Sequence, residues 1–119
     1  MSSMKVRLRE VGDLTRRLRR DYPAETESFL NFIKKTESGD GLSLKHKELI
    51  NVALSISEQC EWCIAFHVQN AVRAGATRKE LIEAGFMAVI MRGGPGFMWL
   101  TPLLEAVDEF APADSPEIN

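Results

Sequence analysis

Cys60 and Cys63 are the two cysteines of the chain, and they stand three residues apart in the stretch EQCEWCIAFH. On a helix that spacing puts both side chains on one face, so the sulfurs can approach bonding distance. The stretch follows a break and opens a new helix, where unpaired N–H groups and partial positive charge favour thiolate over thiol. Thiolate is the reactive species, so the pair is a candidate redox couple. His67 lies four residues after Cys63, one turn along the same face, where its imidazole can take or relay a proton. Spacing alone favours Cys60 as the nucleophile, because it is nearer the helix start.

Glu48 is the fourth candidate. Leu44 and Val52 lie one turn on either side of it, on a helix that is apolar on most sides. A carboxylate in such surroundings needs a partner. The break near Glu58 and Gln59 lets the helices before and after it pack antiparallel. Glu48 and His67 stand about ten residues on either side of that break, so they are expected to meet. Burial is expected to raise the pKa of Glu48 and make it a better base near neutral pH.

Other readings of these residues exist. Cys60, Cys63, His67 and Glu48 are all acceptable zinc ligands, three of them on one helical face. Two inert, buried cysteines in a helical oligomeric adaptor without chemistry would be the plainest case. His46, flanked by Lys45 and Lys47, reads as solvated. The stretch MRGGPGFM lacks the Lys-Ser/Thr ending of a phosphate loop and follows a helix rather than a strand. It reads as a tight turn that allows close helix packing, with Pro95 opening the next helix.

A length of 119 residues suits one compact domain. Hydrophobic residues make up 45% and charged residues 27%, an ordinary soluble balance. A net charge of −2 argues against nucleic acid as the main partner. No apolar run approaches the roughly 20 residues that cross a bilayer, and MSSMKVRLRE lacks the apolar core of a signal peptide. The expectation is a cytoplasmic protein with no membrane or nucleic-acid partner. In a reducing compartment a close cysteine pair is catalytic or metal-binding more often than structural. A Cys60–Cys63 bridge also closes too short a loop to stabilise the fold much.

The elements that must position these residues read as helices throughout, with no alternating strand pattern. The first runs from about Lys5 to Arg20 and ends at Asp21-Tyr22-Pro23. Its basic cluster, Arg16, Arg17, Arg19 and Arg20, reads as a solvated face that also offsets the helix dipole. The second begins near Pro23 and carries Phe29, Leu30, Phe32 and Ile33. Ser43 is the expected cap of the third, Leu44 to about Ser57. The fourth runs from about Cys60 to Ala74 with Gly75 as its stop. Thr77 and Glu80 form a capping box for the fifth, with Ala76 and Leu81 as its staple, and it reaches about Met91. A last helix spans Pro95 to about Phe110, kinked at Pro102 or restarted there with Thr101 as cap. Residues 111–119 read as a frayed tail. The segment Phe86 to Leu104 is apolar nearly all round, which points to a subunit interface.

Glu48, eleven residues, Cys60, two residues, Cys63, three residues, His67: this pattern resembles the active-site signature of the alkylhydroperoxidase D-like group of the carboxymuconolactone decarboxylase family. The likeness continues through CEWCIAFHVQNAVRAGATRKELIEAGFMAVIMRGGPGFMW and covers about residues 42–110. It implies an all-α bundle of about six helices, with the site on a central helical hairpin, and a homo-oligomer, often a trimer or a hexamer. It implies no cofactor, a hydroperoxide or disulfide substrate, and an external protein or small-thiol reductant. By resemblance Cys63 is the attacking thiol, Glu48 the distant base acting through His67 with a water between, and Cys60 the resolving thiol. One departure is Trp62, which stands where the founding member has a histidine, so proton transfer by that histidine is lost. The family name also covers lactone decarboxylases, acid–base enzymes that need no cysteine pair.

Overall fold

Apolar residues at helical spacing, separated by capped breaks, produce seven helices and no strand among residues 3–112, which this computed structural model describes. They are α1 (Ser3–Asp21), α2 (Pro23–Glu37), α3 (Leu44–Ser57), α4 (Glu61–Arg73), α5 (Arg78–Arg92), α6 (Gly94–Met98) and α7 (Leu100–Phe110). The fold is the all-α bundle expected. Of the frayed tail expected over residues 111–119, all beyond Pro112 lies outside the described residues.

The hairpin of α3 and α4 is the centre of the bundle. α5 packs against α3, while α1 and α7 pack against α4. Val52, Ile56, Ile64, Val68, Leu81, Leu103 and Val107 meet there with no exposure. Met4, at the start of α1, joins them. Its end of the helix is held by Glu109 of α7, whose carboxylate accepts the N–H groups of Met4 and Lys5 at 3.3 and 2.9 Å. A carboxylate at a helix start satisfies orphan donors and suits the dipole.

The caps are local. Ser43 accepts the His46 N–H ahead of α3. Thr77 and Glu80 form the reciprocal capping box of α5. The α3–α4 turn closes by paired bonds, Gln59 N–H to Ile56 O at 3.1 Å and Cys60 N–H to Ser55 O at 3.2 Å. Gln59 takes the left-handed φ of 56° that this closure demands. α4 itself starts at Glu61, and Cys60 is its cap rather than its first turn.

The last helix differs from expectation. It is interrupted at Trp99, and Thr101 is not a cap: α7 starts at Leu100, with no side-chain cap. Proline lacks the N–H that would reach the carbonyl four residues earlier, and its ring crowds that carbonyl. For Pro102 that residue is Met98, where α6 ends. Pro102 then sits in the first turn of α7, where no N–H is missed.

Two surfaces stay uncovered in the single chain. Phe86, Met87, Ile90, Met91, Phe97 and Met98 are exposed along α5 and α6. α2 has no buried residue at all. It rests on α1, and its C-terminal end is gripped by Lys47, whose Nζ donates to the carbonyls of Thr36, Glu37 and Gly39 at 3.2, 3.1 and 2.6 Å. The arginines of the basic cluster are exposed and pair locally, Arg19 with Glu27 at 2.7 Å and Arg20 with Asp21 at 2.9 Å.

Candidate active site

The short turn that joins α3 to α4 sets the cysteines at the start of α4. Cys60 and Cys63 are joined by a disulfide, their Cα atoms 5.2 Å apart. Cys60 Sγ also accepts the N–H of Cys63 at 3.1 Å, so the first sulfur caps the helix that carries the second. A sulfur in that place gains from the unpaired N–H groups of the first turn.

One helical turn on, His67 meets α3. Its Nδ1 lies 2.8 Å from Glu48 Oε1. Glu48 is only 2% exposed, so the imidazole is the partner that a buried carboxylate requires. Asn51 adds a long contact at 3.5 Å from its Nδ2 to the same oxygen. Burial pushes the Glu48 carboxyl up, yet the hydrogen bonds with His67, Glu37 and Asn51 outweigh it and hold it below the ordinary carboxylate range. The expectation of a raised pKa is therefore overturned: it counted the burial and not the partners.

A cavity of about 450 Å³ opens in front of this group. Val11 and Thr15 of α1, a row from Phe29 to Glu37 on α2, Asn51 of α3, and Trp62, Cys63, Phe66 and His67 of α4 line it. Cys63 faces the cavity with His67; Cys60 is not on its wall. The wall is mostly apolar, so a bound molecule would be shielded from water and an ionic step there strengthened. Trp62 is fixed at the rim, where its indole N–H donates to Glu10 at 2.8 Å and the Arg7 guanidinium lies 5.2 Å from its ring centre.

The four residues singled out from the sequence form two pairs, Cys60 with Cys63 and Glu48 with His67, and Cys63 and His67 share one cavity wall. The two sulfurs are bonded to each other, and among the described residues no three His, Cys, Asp or Glu side chains are grouped to hold a metal ion. His46 is exposed, its Nδ1 2.8 Å from the Ser43 hydroxyl.

Glu37 was missed by sequence reasoning. Burial and its contact with Glu48 push its carboxyl above the ordinary range. A signal was present: Phe29, Ile33 and Glu37 fall at intervals of four, so an acid ends the apolar stripe of the second helix.

The sequence profile of the carboxymuconolactone decarboxylase family matches residues 23–106. The match starts ahead of residue 42, where the resemblance was read to begin, and so takes in α2. An uncharacterised protein of Cupriavidus necator is 34% identical over 107 residues, covering 90% of this chain and 95% of its own. A protein of the cox locus of Paracoccus denitrificans is 36% identical over 83 residues, 70% of this chain and 75% of its own. Among solved structures, an apo carboxymuconolactone decarboxylase family protein from Legionella pneumophila superposes with a TM-score of 0.86 at 35% identity, over 91% of this chain and 96% of its own. A protein from Methanobacterium thermoautotrophicum gives 0.61 at 33% identity, over 74% and 96%. Sequence and fold agree along most of its length, and the chain belongs to the carboxymuconolactone decarboxylase family.

Proposed function

We propose that the protein is a thiol-dependent oxidoreductase of the alkylhydroperoxidase D-like kind, reducing a hydroperoxide or exchanging with a disulfide. The observation that carries this reading is the bonded Cys60–Cys63 pair with Cys63 and His67 on one cavity wall. An acid–base decarboxylase would use Glu48 and His67 but has no need of joined sulfurs.

In the reduced protein Cys63 gives its proton to His67, which the buried Glu48 carboxylate orients and stabilises. The Cys63 thiolate attacks the outer oxygen of a peroxide, forming the sulfenic acid and releasing an alcohol. With a disulfide it forms a mixed disulfide and releases a thiol. Cys60 then attacks Cys63, expelling water or the second thiol and closing the Cys60–Cys63 bond. A protein or small-molecule dithiol reopens it, and no cofactor takes part. Such a cycle suits the reducing cytoplasm. Among the described residues no helix is long and apolar enough to cross a membrane.

The apolar row Phe86 to Met91, continued by Phe97 and Met98, would be covered by further copies of the chain in a homo-oligomer, a trimer or hexamer.

The deciding experiment is a thiol titration before and after one equivalent of hydroperoxide, with metal content read on the same sample. Loss of both thiols per chain, reversed by a dithiol and without bound metal, is the expected result. Two unreactive thiols with one zinc per chain would defeat the reading.

A further inference from the structure

The attacking sulfur needs a base, but the group it displaces needs a proton. Neither residue between the cysteines supplies one. The Trp62 N–H is engaged by Glu10, and Glu61 is paired with Arg7 at 3.5 Å. Among the described residues on the cavity wall, the ionisable ones are Cys63, His67 and Glu37. Cys63 and His67 are on α4, whereas Glu37 is on the α2 wall, so a substrate between the helices has the sulfur on one side and this carboxyl on another.

Glu37 is held there. Lys47 fixes the last carbonyls of α2, including that of Glu37 itself at 3.1 Å. Lys47 immediately precedes Glu48, so the grip brings the two glutamates together. The groups that face Glu37 are Lys47 and Glu48 from α3 and His67 from α4; Val11 and Thr15, from α1, do not titrate. The Glu37 and Glu48 carboxyl groups act on each other directly, raising Glu37 and lowering Glu48. Two carboxyl groups in such contact resist ionising together, so one of them tends to hold a proton. Burial and Glu48 raise Glu37, while His67 and its other partners lower Glu48, so of the two Glu37 holds a proton the more readily, and it is the one on the cavity wall.

We propose that Glu37 is a catalytic acid of this site, which protonates the leaving group and is recharged through His67 and Glu48. The inference rests on the thiol-oxidoreductase reading. With a hydroperoxide, the Cys63 thiolate bonds to the outer oxygen, the O–O bond breaks, and the departing alkoxide takes the Glu37 proton. The products are Cys63 sulfenic acid and an alcohol. The proton that Cys63 lost passes from His67 to Glu48 and on to Glu37, so the site gains and loses none. With a disulfide the same proton goes to the departing thiolate, leaving a mixed disulfide and a free thiol.

The test is single-turnover kinetics of the reduced full chain, as wild type, Glu37→Gln and Glu37→Asp. The reagents are iodoacetamide, a nitroaromatic disulfide, bis-hydroxyethyl disulfide and cumene hydroperoxide. Iodide and the nitroaromatic thiolate leave without a proton; an alkyl thiolate and an alkoxide are far more basic. In Glu37→Gln the first two rates should stay within about twofold of wild type, while the hydroperoxide rate falls by roughly 10²-fold. The alkyl disulfide should fall between them, and Glu37→Asp should recover part of the loss. Equal slowing with all four reagents, or no slowing with any, would overturn the role of Glu37. A wild type that alkylates but reacts with no disulfide or peroxide faster than free cysteine would instead remove the oxidoreductase reading, and this inference with it. The wild-type rates therefore separate the two failures.

Discussion

Cys60 caps the helix on which Cys63 lies, its Sγ accepting the Cys63 N–H at 3.1 Å. Cys60 thus has a structural duty beside the resolving role proposed for it. Serine is among the best residues at that position and alanine among the poor ones, a difference of about 1 kcal/mol. Urea denaturation should find Cys60→Ala less stable than Cys60→Ser by about that amount, neither variant having the disulfide. Cys60→Ser is therefore the clean variant for trapping. After one equivalent of peroxide, mass spectrometry should show a persistent added oxygen on Cys63, whereas Cys63→Ser should show no turnover.

Glu48 holds the His67 ring from a position that is almost wholly buried. Glu48→Gln keeps the shape and removes the charge that stabilises a protonated imidazole. The alkylation rate of reduced Cys63 at neutral pH should fall by roughly 10²-fold. Glu48→Ala also leaves the half-buried His67 ring without its partner, which should cost a further destabilisation of about 1 kcal/mol. An alkylation rate unchanged in Glu48→Gln would show that the pair does not serve the thiol.

Glu37 and Glu48 couple stability to pH with opposite signs. Glu37 has a raised pKa, so the native chain keeps a proton that the unfolded chain has already released. Its contribution is complete below the ordinary carboxylate value and is lost as pH rises through the raised one. Glu48 has a lowered pKa, so its contribution is complete above the ordinary value and is lost as pH falls through the lowered one. Glu37→Gln should then gain stability relative to wild type as pH climbs from the ordinary carboxylate range towards neutrality. Denaturation midpoints for both proteins across that range read the difference, and parallel curves would contradict it.

Gly85 sits where α5 meets α7. A Cβ built there falls 2.4 Å from Leu103 Cδ2 and 3.0 Å from Leu100 Cδ2. Leu103 is wholly buried, so it has nowhere to swing. Gly85→Ala should gain about 1 kcal/mol of helix propensity and lose about 1–3 kcal/mol to overpacking. The expected net result is a lower denaturation midpoint, and a rise would show that the leucines can repack.

The local decisions of this chain are written in short stretches of sequence. Ser43, the Thr77–Glu80 box and Gly75 mark helix ends because a cap needs only the residues beside it. The meeting of Glu48 and His67 was legible for the same reason. A three-residue connection leaves two helices little choice but to fold back, and arms of similar length then bring similar heights together. Other features depended on contacts that no stretch of sequence contains. Pro102 broke the helix two residues earlier than expected, at Trp99 rather than Thr101, because its missing bond and its clash both fall on the carbonyl of Met98. The pKa of Glu48 moved against the expectation from burial, because the sign of a shift is set by partners as well as by solvent. Glu37 is set at the site by contacts across the chain, where Lys47 ties the end of a helix with no buried residue to the helix that bears Glu48. The sequence by itself thus determined the helices, their caps and the hairpin that holds the cysteines, histidine and inner glutamate. The tertiary structure decided which side chains share the cavity and which way each carboxyl is shifted, because both depend on distances across the chain rather than along it.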